Sequence, residues 1–211
     1  MKEPEKAEKN FQQALLLNPN HPGSHSALAR VLMKQNKRIP AILAFSRFFT
    51  LEPDSKRAKE NLGYFQNLMK GDVQKKNDQS VTININSSAL DIDKNGKSKE
   101  NNFTTSDLLL SFEAALDYDK KNADKTEIEK FIRKFNSLCA SLNNSAKENY
   151  GFYWEYYAPY FLAMKDKEMI GTFAYLAFAT SGYDDVNAWI NSHSDEIDKF
   201  FQWSEGFEWK K

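Results

Sequence analysis

The sequence predicts an all-α chain with helical hairpins at its N-terminal end and a helical domain at its C-terminal end, joined by a polar linker. Three observations predict it. A 34-residue rhythm of small and aromatic residues runs through positions 1–70, and from position 103 onward apolar residues recur three and four apart. Between them, positions 71–102 are rich in Asn, Lys, Asp and Ser, the composition of a solvated connection. The expected units are therefore 1–70, a flexible linker over 71–102, and an aromatic-rich helical domain over 103–211.

In the first unit, a shift of 34 positions carries Ala7, Phe11, Leu17 and Pro19 onto Ala41, Phe45, Leu51 and Pro53. The same shift carries Leu28 and Ala29 onto Leu62 and Gly63, and Asn20 onto Asp54. Ala29, Ala41 and Gly63 are small, as residues must be where two helices approach closely, and Phe11 and Phe45 are knobs that fill the space between hairpins. Pro40 suits a first helical turn, where its missing N–H is no loss, and Pro19 and Pro53 close helices. Phe48 stands where Ala14 stands one repeat earlier, so packing there must be reshaped.

These residues resemble the tetratricopeptide repeat, with its Leu-small pair on a first helix and Ala-x3-Phe and closing Pro on a second. Positions 22–55 match one complete unit: Leu28-Ala29, Leu32, Ala41, Phe45 and Pro53. Positions 5–20 read as a second helix alone and 55–71 as a first helix alone. The resemblance implies an α-solenoid of stacked hairpins whose first helices line a concave, peptide-holding groove. Stacked units cannot bury their faces singly, so a chain starting at a lone second helix is expected to be a fragment of a longer protein. An upstream signal is then open, and the compartment, cytoplasmic or periplasmic, stays undecided. No apolar run approaches the roughly 18 to 20 residues of a membrane span, so the chain reads as soluble.

In the linker, Val81, Ile83 and Ile85 alternate with polar residues and suggest one short edge strand. Asp91, Asp93, Asn95 and Gly96 have the spacing of the first half of a calcium loop. Asn102 replaces the required Glu and Ser98 an apolar residue, so the stretch reads as an Asx-and-Gly turn.

From 103, Thr105 or Ser106 is the expected cap of a helix with the stripe Leu109, Phe112 and Leu116. Asp124 and Glu127 suggest a capping box opening a helix striped by Ile128, Phe131, Ile132, Phe135, Leu138, Cys139 and Leu142. Further helices are expected at roughly 146–164, 167–180, 184–191 and 195–203, with Ser181-Gly182 as punctuation. The pair over 154–180 loosely resembles another hairpin, and the whole C-terminal part is similar to uncharacterised bacterial repeat proteins, a resemblance that carries no activity. In the run 151–161, Trp154, Tyr157 and Phe161 are expected in the core, with Tyr153, Tyr156 and Tyr160 as a second stripe for another helix or a partner to cover. Trp189, Trp203 and Trp209 read as the clasp of a terminal helix. Residues 150–209 hold 18 of the 29 aromatic residues.

Charge excludes one class of partner. With 29 Lys and Arg against 29 Asp and Glu there is no global field to draw nucleic acid or an anionic membrane. The balance hides a gradient: 12 basic against 6 acidic residues in 1–70, 12 against 13 in 71–149, and 5 against 10 in 150–211. Chemistry is sparse. Cys139 is the only cysteine, so neither an intrachain disulfide nor a cysteine zinc site forms, and it reads as a buried small hydrophobe. No nucleotide loop or nucleophile elbow occurs. His21 and His25 straddle a repeat boundary without a third ligand, Ser192, His193 and Asp195 read as a helix boundary, and Asp184-Asp185 as an acidic first turn. No catalytic residue, cofactor or metal ligand is assigned.

Function is therefore expected from surface. Ser26, Arg30 and Met33 share the face away from Leu28 and Leu32, and the 34-residue shift yields Glu60, Tyr64 and Asn67, with Asn61 at the edge. These seven are the candidate contacts of a non-enzymatic scaffold that holds a peptide segment of a partner protein, acidic by complementarity. They do not match the family's carboxylate clamp, because Ser26 and Arg30 replace its Lys and Asn. The alternatives are a ligand-binding module or degenerate enzyme with its site among the C-terminal aromatics, and a chain whose basic and acidic ends dock on each other.

Overall fold

The structure, a computed structural model, describes residues 3–77, 80–84 and 99–209. It is all-α, with ten α-helices and one two-stranded hairpin among the described residues. The Asp91, Asp93, Asn95, Gly96 and Ser98 of the calcium-like stretch, and Ile85, lie outside the described residues.

Helices α1 (Pro4–Leu17), α2 (Pro22–Lys34), α3 (Arg38–Leu51) and α4 (Lys56–Lys70) follow one another through short turns. Proline opens α1 and α2, and His21 caps α2 by accepting from the Ser24 N–H at 3.1 Å. Ser55 caps α4 in the same way, from the Ala58 N–H at 3.0 Å. Asn36, at φ +59°, turns the chain between α2 and α3, which pack closely along their length. In α3 every residue from 39 to 50 is buried, so this helix is the axis of the molecule. Leu28, Ala29, Leu32, Ala41 and Phe45 are all fully buried, and so is Phe48, whose ring meets Phe49 edge-on at 5.1 Å. Gly63 departs from expectation: it is exposed, and a side chain added there would touch nothing within 4 Å. No helix crosses closely at that point.

Strands β1 (Val73–Asn77) and β2 (Ser80–Ile83) form an antiparallel hairpin with Val73 opposite Ile83. The single strand expected at 81–85 thus has a partner within the linker stretch, and Val73, only 3% exposed, anchors it. An isolated hairpin is marginal in water. This one rests on α5 (Thr104–Ala115).

The cap of α5 is neither Thr105 nor Ser106. The helix starts at Thr104, at least two residues earlier than the pattern suggested, with Phe103 at the cap position, and the Thr104 N–H is met by Asn102 Oδ1 at 3.0 Å. Two single turns, Leu116–Tyr118 and Lys120–Asn122, lead to α6 (Glu127–Ser145). Its capping box is formed by Thr126 and Glu129, not by Asp124 and Glu127: Thr126 Oγ1 accepts from the Glu129 N–H at 3.2 Å and Glu129 accepts from the Thr126 N–H at 2.9 Å. Ile128, Phe131, Phe135, Leu138, Cys139 and Leu142 are buried as the stripe requires, with Ile132 at its rim.

A widened π turn, Tyr153–Tyr157, runs into α7 (Ala158–Asp166). Pro159 has no N–H to continue the ladder, and the Ala158 N–H reaches back to the Tyr153 carbonyl instead. Then come α8 (Ile170–Ala177), α9 (Asp184–Ser192) and α10 (Ser194–Glu205). The α7–α8 pair does not form a hairpin of its own; both helices lie on α6. Tyr153, Tyr156, Tyr157 and Tyr160 are all buried, and the second stripe is covered by the N-terminal helices and, over Tyr156 and Tyr160, by the chain after α8. Tyr153 OH donates to Glu8 at 2.6 Å, Tyr156 OH to the Leu15 carbonyl at 3.1 Å, and Tyr157 OH pairs with His25 at 2.7 Å. One apolar core consequently runs from Leu15 to Phe200 across all the helical parts. The basic and acidic ends meet through this aromatic and hydrogen-bonded contact.

Candidate functional site

Helices α2 and α4 lie side by side and parallel, and side chains join them. Asn61 Nδ2 donates to Ser26 Oγ at 2.9 Å, and Asn61 Oδ1 accepts from Arg30 Nε at 2.9 Å. Ser26 and Asn61 are 8% and 1% exposed. These two expected contacts are thus supports beneath the surface, since a short polar pair between two helices satisfies itself rather than a ligand. What they support is Arg30, whose guanidinium lies 5.4 Å from the centre of the Tyr64 ring. Arg30 is exposed, and its two Nη groups have no acceptor among the described residues. A guanidinium fixed at Nε and stacked on one face is oriented in advance for an incoming carboxylate.

Tyr64, with Met33 and Asn67, also lines a hollow of about 330 Å³. Leu68 adds an apolar wall, while Asn36, Gly71, Asp72 and Asn84 close it toward the hairpin, and Asp107 and Ser111 toward α5. Glu60, one turn above Tyr64, is exposed. The seven sequence candidates therefore split into two supports, four residues at one guanidinium and one hollow, and an outlying carboxylate.

Arg38 was missed by the sequence reading. It stands in the first turn of α3, where its Nε donates to the Leu68 carbonyl at 2.7 Å and its Nη1 to Asp107 at 2.7 Å and to Ser111 Oγ at 2.8 Å. It fastens α3, α4 and α5 together and is shared with a second hollow of about 320 Å³ that runs along Gln35 to Pro40 and 99–104. Burial lowers its pKa, and Asp107 opposes that shift. The available signal was an arginine opening a mostly apolar helix, two residues before Pro40.

The aromatic region offers less room. An acidic side chain in an open pocket beside Trp154 or Tyr157 would favour a ligand site there. The buried acid that reaches this region, Glu8, is held between Lys37 Nζ at 2.7 Å and Tyr153 OH, and Trp154 stacks face to face on Phe103 at 4.3 Å. Burial raises the pKa of Tyr153, Tyr156 and Tyr157, so all three remain protonated donors. Burial also pushes the Cys139 thiol up to about 12.

The histidines separate. His21 caps α2, His25 is fully buried, and His193 stacks on Trp189 at 4.3 Å where α9 meets α10. Ser192 Oγ is 2.9 Å from His193 Nδ1, but that nitrogen also faces the Trp189 carbonyl, as at a helix end. No group of three or more His, Cys, Asp or Glu placed to hold a metal occurs among the described residues, nor any helix long and apolar enough to cross a membrane. No family model, characterised protein or solved structure matches the chain.

Proposed function

We propose that the chain is a non-enzymatic interaction scaffold of the tetratricopeptide type, whose α2–α4 face holds an extended peptide segment of a partner protein. One observation carries the reading: the Arg30 guanidinium, its Nη groups uncommitted among the described residues, is held by Asn61 and stacked on Tyr64, which also lines the hollow with Met33 and Asn67. An acidic residue of the segment pairs with Arg30, and a neighbouring apolar side chain enters the hollow, whose mouth Tyr64 shares with the guanidinium. Such a pairing at a surface is worth about 1 kcal/mol unless desolvated, so the hollow has to supply most of the affinity.

The test is a peptide array probed with the full chain and with Arg30→Glu/Tyr64→Ala, after equal helicity and melting are established for both. Acidic peptides retained by the wild type and lost by the double variant support the reading. Identical array patterns for the two proteins sink it.

A further inference from the structure

Arg47, in the middle of α3, is fully buried, yet no carboxylate touches it among the described residues. Its Nη1 donates to three hydroxyls, Thr50 at 3.0 Å, Tyr160 at 3.0 Å and Ser204 at 2.6 Å, and its Nη2 to Asn20 Oδ1 at 2.7 Å. The Nε–H has no acceptor. Aromatic faces stand where a counter-ion would be expected: the guanidinium carbon is 4.7 Å from the centre of the Tyr160 ring and 5.0 Å from that of Trp209. Buried guanidinium groups are ordinarily paired with an anion, and cation–π contact with neutral oxygens replaces that only in part. The packing of the core alone gives no reason for a cation here.

The cover over Arg47 is equally unusual. After α10, Gly206 bonds back to the Gln202 carbonyl and the chain reverses. Phe207 and Trp209 then lay their rings on Tyr160 at 5.0 and 5.1 Å, and Trp209 also meets Tyr156 at 4.6 Å. Among the described residues, the main chain of 207–209 makes no hydrogen bond. The segment is held by its rings. Trp209 Nε1 is itself buried without an acceptor, although buried indole donors ordinarily find one. Plug and cation thus each keep an unmade hydrogen bond on the two sides of one contact.

We propose that the cleft between α3, the 153–166 helix and α10 is a binding site for an aromatic anion, a planar ring bearing a carboxylate or sulfonate, and that Trp209 occupies it as a displaceable plug. The incoming ring replaces the indole on Tyr156 and Tyr160. Its anionic group accepts from Arg47 Nε, and the released Trp209 Nε1 bonds to water. Because the plug competes with the ligand, observed affinity is the intrinsic affinity scaled by the open fraction. Removing the indole therefore tightens binding, by about tenfold or more.

The probe is 1-anilinonaphthalene-8-sulfonate, with uncharged N-phenyl-1-naphthylamine as its control, titrated by fluorescence into the full chain. Trp209→Ala is expected to bind the sulfonate at one site, about tenfold or more tighter than wild type. Adding Arg47→Met should remove that gain for the sulfonate and leave binding of the uncharged dye unchanged. Equal sulfonate affinity in wild type and Trp209→Ala overturns the proposal, as does a gain that survives Arg47→Met. Should either variant lose its cooperative urea transition, the wild type decides: with 5-fluorotryptophan incorporated, saturating sulfonate must move the Trp209 fluorine resonance, assigned by Trp209→Phe, to a solvent-exposed position. A resonance that stays in place overturns the plug.

Discussion

His25 makes the fold acid-sensitive in a calculable way. Its Nε2–H donates to the Pro19 carbonyl at 2.9 Å, which leaves Nδ1 as the acceptor of the Tyr157 hydroxyl at 2.7 Å, so the ring is the neutral tautomer protonated on Nε2. Burial first, and then the charges of Arg47 and His21, push its pKa down from 6.5 to about 3, against the opposing pull of the Pro19 carbonyl. The unfolded chain takes up this proton near pH 6.5 and the folded chain only near 3. Stability from this group is thus fully present above 6.5 and is lost as pH falls below it, at about 1.36 kcal/mol per pH unit. From pH 7 to pH 5 the loss is about 2 kcal/mol, or about 4 to 8 °C in Tm for a chain of this length. Urea unfolding followed by circular dichroism at pH 7, 6 and 5 measures it, with His25→Gln as the non-titrating reference that keeps a donor and an acceptor. Carboxylates elsewhere titrate alike in both proteins, so the difference isolates His25. Parallel stability curves for the two proteins would refute the assignment of a buried neutral imidazole.

Gly71 ends α4 at φ +62°, and a Cβ there would lie 2.6 Å from Arg38 Nη2 and 2.8 Å from its Cζ. Since Arg38 is pinned by Leu68, Asp107 and Ser111, Gly71→Ala should lower stability by about 2 kcal/mol, read as a fall in the urea midpoint with unchanged slope. Thr126→Ala removes one half of the α6 capping box and should cost about 1 kcal/mol in the same assay, while Asp124→Ala should change little. Cys139, buried with its thiol pKa raised to about 12, should resist a disulfide reagent at pH 8 in the folded chain and react at once above the urea midpoint.

Helix content was readable from periodicity where a helix buries one face and exposes the other. The α6 stripe from Ile128 to Leu142 shows how far that goes. Its cap was misread by two residues, since Asp124 and Glu127 have the right spacing too, and only the φ and ψ of Thr126 separate a cap from a neighbour. Periodicity says less where a helix is buried on all sides. Nothing in α3 itself distinguishes the face that meets α2 from the faces that meet α8 and the Tyr153–Tyr157 turn. That is why the sequence suggests three units where the structure has a continuous core. Gly63 failed for a related reason: a small residue permits a close approach without requiring one.

The candidate site was readable to the extent that the repeat is a translation. Arg30 and Tyr64 are 34 residues apart, so equivalent positions on successive parallel first helices become neighbours, and the stacking of one on the other follows from the period. Ser26 and Asn61 are 35 apart and Arg30 and Asn61 are 31 apart, offsets set by how the two helices are staggered, and that is a property of packing. Arg38 lies outside the translation altogether, because its partners come from the end of α4 and from α5, where the repeat has stopped. The same boundary passes through the hollow. The hollow of about 330 Å³ lies where the hairpin and α5 meet the end of α4, with Met33, Tyr64 and Asn67 on one side and Asp72, Asn84, Asp107 and Ser111 on the other. The far side of the hollow thus lies past the last positions that the 34-residue period relates, among residues that packing alone brings together.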